Sequence, residues 1–242
     1  MLGQTVSDLE LLIIDDGSAD QTGQVAAEIA DADARARVLS LPTNVGISTS
    51  LNTGLRAAQA DVVAVLDADD WSEPARLERQ LGLLHQQPGV AVVGCRMREV
   101  DETGNELCPR TKFAPGEVND VLTRFNPVPN SCSAFRRVLA LQAGGYDARY
   151  RWAAEYDLWL RLAEGHVVYA LDDVLATRVM STRNVAATRE RAQIAEGVSI
   201  RMRAMARRRS LRGMTGLMSP AVSYLTPIPL KRARRRRLGQ AP

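Results

Sequence analysis

The chain has 242 residues, 45% hydrophobic and 24% charged, enough to bury a sizeable core as one large domain. No apolar run approaches the roughly 20 residues that span a bilayer, the opening residues carry no signal-peptide pattern, and Cys95, Cys108 and Cys132 match no metal knuckle or disulfide framework; reduced thiols and a cytoplasmic location are expected. The net charge of +3 hides an asymmetry, because residues 201–242 hold twelve Lys and Arg and no acid, which leaves a formal −9 on the rest.

LELLIID at 9–15 is a short apolar run stopped by Asp16, Gly17 and Ser18, which predicts a strand, and the Ala-rich stretch 21–34 has helical character. RVLSL at 37–41, stopped by Pro42, predicts a second strand. Ile47, Leu51, Leu55 and Ala58 recur at helical spacing and predict an amphipathic helix over 47–59. DVVAVLD at 61–67 predicts a third strand. SEPARLERQLGLLHQ at 72–86 predicts a helix with Ser72 as N-cap and Leu77, Leu81 and Leu84 on one face. VAVVGCRMREV at 90–100 predicts a fourth strand. Strands alternating with helices predict an α/β fold, a doubly wound, mostly parallel sheet covered on both faces.

After residue 100 the rhythm changes. The stretch 101–130 is rich in Pro, Gly and Asn, with a short helix predicted around 117–125. SAFRRVLALQAGGYD at 133–147 reads as a strand edge and a short helix ended by Gly144 and Gly145. EYDLWLRLAEG at 155–165 predicts a compact helix, and HVVYALDD at 166–173 a short strand.

Two of the strands end in acid clusters. LLIIDDGS supplies Asp15 and Asp16, and VVAVLDADDW places Asp67, Asp69 and Asp70 after five apolar residues. In open α/β sheets ligands bind beyond the carboxyl ends of parallel strands. Like charges gathered there raise one another's pKa unless a cation or hydrogen-bond donors sit among them. A hard divalent cation, Mg²⁺ or Mn²⁺, holding a phosphorylated ligand resolves the conflict. Ordinary turn and capping chemistry is the competing account, stronger for Asp15 and Asp16 than for the D-A-D-D cluster.

The runs ELLIIDDGSADQT (10–22), NVGISTSLNTGLRAAQADVVAVLDADDW (44–71), GGYD (144–147) and EYDLWLRLAEG (155–165) closely resemble the family 2 glycosyltransferases, with their nucleotide-sugar-binding GT-A fold. The similarity covers roughly residues 2–178. The resemblance implies that Asp16, beside Asp15, bonds the nucleotide base. It implies that Asp69 ligates a divalent cation under the diphosphate, with Asp67 near the ribose and Asp70 in support. Asn44, Gly46 and Asn52 would approach the nucleotide. The family's frequent Glu-Asp-Tyr-Asp pattern reads Ala154, Glu155, Tyr156, Asp157 here, so Glu155 would be the base that deprotonates the acceptor hydroxyl, giving inversion.

On this reading residues 1–100 form the nucleotide-sugar half, 101–200 the acceptor and catalytic-base half of the same domain, and 201–242 a basic tail. The implied partners are a nucleotide-diphosphate sugar and a glycan or lipid-linked acceptor, in cell-surface polysaccharide or glycolipid synthesis. Three positions depart from the family pattern. Met180 stands where relatives often have a metal-touching His, Asn130 where many have a His, and the chain opens at MLGQT, matching only the end of the family's first helix. The strand and turn expected before it are absent, which predicts unpaired interior strand edges. A catalytically degenerate or truncated glycosyltransferase-like binding protein is therefore the alternative. A response-regulator-like receiver also gathers acids around Mg²⁺, but it leaves the helix of Glu155 unexplained.

The tail is apolar at 214–230 but broken by Pro220, Pro227 and Pro229, and KRARRRR follows at 231–237. Such a cluster suits a peripheral position on an anionic inner membrane face. No nucleic acid is expected, since no aromatic residues interleave the basic run; a solvated tail is the competing account.

Overall fold

The apolar runs pair into two sheets in the computed structural model, which describes residues 1–107, 113–180 and 190–208. Cys108 and the tail motifs at 214–237 lie outside the described residues. β1 (Leu11–Asp15) and β2 (Ala36–Ser40) pair in parallel, joined by α1 (Thr22–Ala32), and α2 (Ile47–Ala57) follows. Next come β3 (Val62–Ala64), β4 (Asp70–Ser72), α3 (Arg76–Gln86), β5 (Val90–Val100), β6 (Gly116–Glu117) and α4 (Asn119–Leu122). A 3-10 turn at Asn130–Cys132 leads to β7 (Ala134–Arg136), α5 (Arg137–Gln142), α6 (Ala154–Leu162), β8 (Val167–Val179) and α7 (Glu190–Arg208).

The larger sheet has the order β3-β7-β5-β8-β4, with β6 against β8. β5 and β8 are parallel from Val90 opposite Val167 to Val100 opposite Val179. β3 runs the same way, because β3 and β5 are both antiparallel to β7. The short strands β4, β6 and β7 run against them, so by length the sheet is mostly parallel, as the alternation of elements predicts.

Helices cover both faces. Val92, Phe135, Val168 and Ala170 pack with Leu55 of α2, Ala140 of α5, Trp159 of α6 and Ile200 of α7. On the opposite face Val90, Val93 and Ala134 meet Leu84 of α3. Successive residues of β7, Ala134 and Phe135, thus serve the two clusters, as the period of two requires. The Phe135 and Trp159 rings lie 5.2 Å apart and tilted, and Trp159 Nε1 donates to the Val128 carbonyl at 2.9 Å.

Several elements differ from their sequence reading. The 61–67 run forms ladder pairs only over Val62–Ala64; beyond it Val65 N–H still reaches the Ser133 carbonyl at 3.1 Å, and Asp67 N–H reaches Ser131 Oγ at 3.0 Å. Ser72 does not cap α3. It lies in β4, where its hydroxyl accepts from Gln4 Nε2 at 3.1 Å, and α3 starts at Arg76 with no side-chain cap. α7 crosses residue 200 without a break, with Ile200, Arg201 and Ala204 buried.

Among the described residues β1 and β3 are each paired along one edge, and Leu11, Ile14, Val62 and Ala64 are only half-buried. No helix among the described residues is long and apolar enough to cross a membrane.

Candidate functional site

At the carboxyl end of β3 the chain turns tightly, with Asp70 N–H donating to the Asp67 carbonyl at 3.0 Å. The turn sends the three carboxylates in different directions. Asp70 is the first residue of β4, and the β4–β8 register sets it opposite Arg178. Arg178 Nη2 lies 3.0 Å from Asp70 Oδ2, and Nε donates to Oδ1 at 3.2 Å. The same Nη2 lies 3.6 Å from Asp67 Oδ2. Asp70's side chain is 0% exposed and Arg178's 23%, so this is a desolvated pair.

Burial opposes the charge on Arg178, but Asp70 and Asp67 more than offset it and hold the guanidinium above its ordinary value. Asp67 is pushed up, chiefly by burial, with Arg178 opposing and Asp70 and Asp69 adding like charge. Asp69 is the carboxylate exposed at the turn.

Glu155 stands in the first turn of α6, half-buried. Its carboxyl is raised from 4.5 to about 7, chiefly by burial, with Asp67 adding to the rise and Arg178 and Asn126 opposing it. Asn126 Nδ2 donates to Glu155 Oε1 at 3.0 Å. The neighbouring acid differs: Asp157 is buried and bonded to Arg161 Nε at 2.7 Å, while Arg161 also donates to the Gly145 carbonyl at 2.6 Å. Arg161, held by Asp157, therefore ties α6 to the GGYD loop, and Glu155 is the acid of α6 whose carboxyl feels the charge of Asp67.

The acids after β1 form a separate group. Asp15 is buried and accepts Ser18 N–H at 3.0 Å. Asp16 accepts Val45 N–H at 2.8 Å and Gly46 N–H at 3.0 Å, which draws the loop of Asn44 and Gly46 against the end of β1. Gly17 makes that approach possible: its φ is +69°, and a Cβ would lie 2.6 Å from the Thr43 carbonyl carbon. Asn44 is exposed, and Gly46 opens α2.

Asn52 belongs to neither group, since its amide is paired with the Tyr146 peptide at 2.7 and 2.8 Å. With Ser48 Oγ donating to the Tyr150 carbonyl at 2.7 Å, it joins α2 to the loop before α6. Met180 is buried at the end of β8, and buried Asn130 accepts the Tyr146 hydroxyl at 3.3 Å.

Sequence reasoning missed Arg178, Asn126 and Ser131 as site residues. A signal existed for Arg178: three acids in four positions demand a cation, and the protein supplies one of its own beside any metal. Among the described residues no group of three or more His, Cys, Asp or Glu is placed to hold a metal ion. A phosphate-carried Mg²⁺ or Mn²⁺ takes only one or two protein carboxylates, and the exposed Asp69 fits that role.

Comparison with known proteins bears on the family and the fold. The glycosyl transferase family 2 model matches residues 1–140. The amylovoran biosynthesis glycosyltransferase AmsE of Erwinia amylovora is 33% identical over 139 residues, 57% of this chain and 52% of that protein. Chondroitin synthase of Escherichia coli is 29% identical over 186 residues, 76% of this chain and 26% of that protein. The chain thus spans about half, or less, of the length of these relatives. Among solved structures, the mannosyltransferase PcManGT from Pyrobaculum calidifontis, in complex with GDP-Man and Mn²⁺, aligns with a TM-score of 0.66 at 19% identity, over 97% of this chain and 72% of that one. Residues 1–349 of S. aureus TarS, in complex with UDP-GlcNAc, align with a TM-score of 0.62 at 16% identity, over 92% of this chain and 74% of that one. The fold is GT-A-like, and with a family match over more than half its length the chain belongs to glycosyl transferase family 2.

Proposed function

We propose that the chain is a metal-dependent glycosyltransferase that moves a sugar from a nucleotide-diphosphate donor to an acceptor hydroxyl, with inversion at the anomeric carbon. The observation that carries this is Glu155, a carboxyl raised to about 7 beside the D-A-D-D cluster, which is the protonation range a general base needs near neutral pH. Glu155 takes the acceptor's proton as the acceptor oxygen attacks the anomeric carbon, and the donor's diphosphate leaves from the opposite face. Asp69 would hold the cation, Mg²⁺ or Mn²⁺, which when bound neutralises charge developing on the leaving diphosphate. Arg178 keeps Asp70 and Asp67 in place, with Asp67 towards the ribose. Asp16 holds the nucleotide-side loop of Asn44 and Gly46, and Asp15 holds the turn at Ser18 beside it.

The named ligands of PcManGT and TarS, and relatives named for amylovoran, chondroitin and O-antigen synthesis, support a nucleotide-sugar donor and an acceptor in cell-surface polysaccharide or glycolipid synthesis. The acceptor class we assign is a glycan or lipid-linked glycan, met at the inner membrane face through the basic run 231–237.

A panel of UDP- and GDP-sugars, with and without Mg²⁺ or Mn²⁺, tests the reading. The wild type should consume one donor only with metal, and Glu155→Gln should lower turnover about 10²–10⁴-fold with donor affinity unchanged. A Gln variant that turns over normally would remove Glu155 from the chemistry. Met180, buried where relatives often carry a metal-touching His, favours the second reading, a sugar-nucleotide-binding protein without transferase activity; donor binding with no turnover by the wild type would be its signature.

A further inference from the structure

Asn126, in the loop between α4 and the 3-10 turn, has its amide engaged at both ends. Its Oδ1 accepts Val128 N–H at 3.1 Å, and its Nδ2 donates to Glu155 Oε1 at 3.0 Å. The same Val128 residue presents its carbonyl to Trp159 Nε1 at 2.9 Å, one helical turn beyond Glu155 on α6. The loop is thus fastened to α6 at two points a turn apart. An amide set between an N–H donor and a carboxylate has one workable orientation: oxygen towards Val128, NH₂ towards Glu155. Glu155 Oε1 then faces a donor in either protonation state and acts only as an acceptor, so a proton gained by Glu155 sits on Oε2.

We propose that Asn126 is a positioning residue for sugar transfer: it orients the Glu155 carboxyl, keeps Oε1 as an acceptor, and leaves Oε2 as the oxygen that takes the proton from the acceptor hydroxyl. This rests on Glu155 being the base. In the step itself the acceptor O–H bond breaks as the Oε2–H bond forms. The electron pair left on the acceptor oxygen makes the new bond to the anomeric carbon, and the pair of the broken carbon–oxygen bond leaves on the diphosphate.

The charge balance at Glu155 shows what Asn126 contributes. Asp67, in the turn after β3, and burial favour the protonated form; Arg178 of β8 and Asn126 favour the charged one. Tyr146, in the loop after α5, is held neutral by burial, with the charges of Glu155 and Asp67 adding to that effect. Asn126→Ala deletes the donor. Asn126→Asp keeps an acceptor for Val128 N–H, so it preserves the loop, but sets a second carboxylate against Glu155.

The test is a carbon-13 NMR titration of the glutamate carboxyl groups, with the Glu155 resonance identified by its loss in Glu155→Gln. Its midpoint should rise in Asn126→Ala and rise further, by about one unit or more, in Asn126→Asp. The acid limb of the donor-turnover pH profile should move with it, with turnover recovering to within a few-fold of wild type at high pH. A midpoint unmoved in both variants, or turnover lowered equally at every pH, would overturn the proposal and leave Asn126 a fold residue. If the titration behaves as expected but Glu155→Gln turns over normally, the base reading has failed. An inactive Gln variant with an unmoved midpoint makes Asn126 the error.

Discussion

Arg178 resolves, with a single side chain, the charge conflict at the end of β3. Asp70 has no exposed side-chain surface and faces Arg178, so removing only the cation strands a buried carboxylate. Arg178→Ala should cost about 3–5 kcal/mol in urea denaturation, and the double variant Arg178→Met with Asp70→Leu should recover much of that loss. A single variant with unchanged stability would show that the pair is open to water in solution.

Glu155 carries the opposite kind of cost. Its folded-state value near 7 exceeds the ordinary 4.5, so the fold binds this proton more tightly than the unfolded chain does. Stability from this group is therefore fully present below about 4.5 and is lost as pH rises to about 7. Glu155→Gln should be more stable than wild type by about 2–3 kcal/mol at pH 8 and nearly equal to it near pH 4. Urea midpoints at the two pH values check this, and equal midpoints at pH 8 would mean that the carboxylate is well solvated.

Among the elements, α6 depends on a helix from the far end of the described chain. Its N-cap, Ala153, offers no side-chain oxygen, so the first N–H groups need an outside acceptor. Glu196 of α7 meets one of them, the Ala153 N–H at 3.1 Å, and holds the segment leading into the helix through the N–H groups of Arg151 and Trp152 at 3.0 and 2.7 Å. A carboxylate at that end also complements the helix dipole. Glu196→Ala leaves up to three N–H groups without this partner and should cost about 1–3 kcal/mol, a Tm drop of about 3–10 °C. Because α6 carries Glu155, turnover should fall more than donor affinity does. Equal losses in both would place the effect on the whole fold.

At the scale of the molecule, the two sheets are held together by side chains and connecting segments. Asn52 and Ser48 reach the 146–150 loop, and Thr5 N–H reaches the Pro74 carbonyl at 2.9 Å. A two-stranded sheet is marginal without such support, whereas β5 lies between β7 and β8 with Val90, Val92 and Val93 buried. Native-state hydrogen exchange should find β1 and β2 amides opening at least about tenfold more often than those of β5 and β8. Indistinguishable protection would mean that both sheets open only in global unfolding.

Most of the fold was legible because its signals are local. Apolar runs with a period of two or 3.6 announced β1, β2, α2, α3, β5 and α6, and acids directly after apolar strands marked where a site would form. The polar α7 gave a weak periodic signal, and Ser72 resembled an N-cap because a serine shortly before an amphipathic run reads the same whether the chain enters the helix there or pairs in a strand first. By itself, then, the sequence determined the α/β class and the carboxylates at the strand ends, while Glu155 was singled out by the family resemblance. Only the tertiary structure decided what surrounds them: Arg178 lies 108 positions from Asp70, and Asn126 lies 29 from Glu155. Their pairing depends on the β4–β8 register and on an aperiodic loop folding back onto α6. The physical reason is that a polar side chain's partner is chosen by packing and sheet register, which bring together residues that have no regular spacing in the chain.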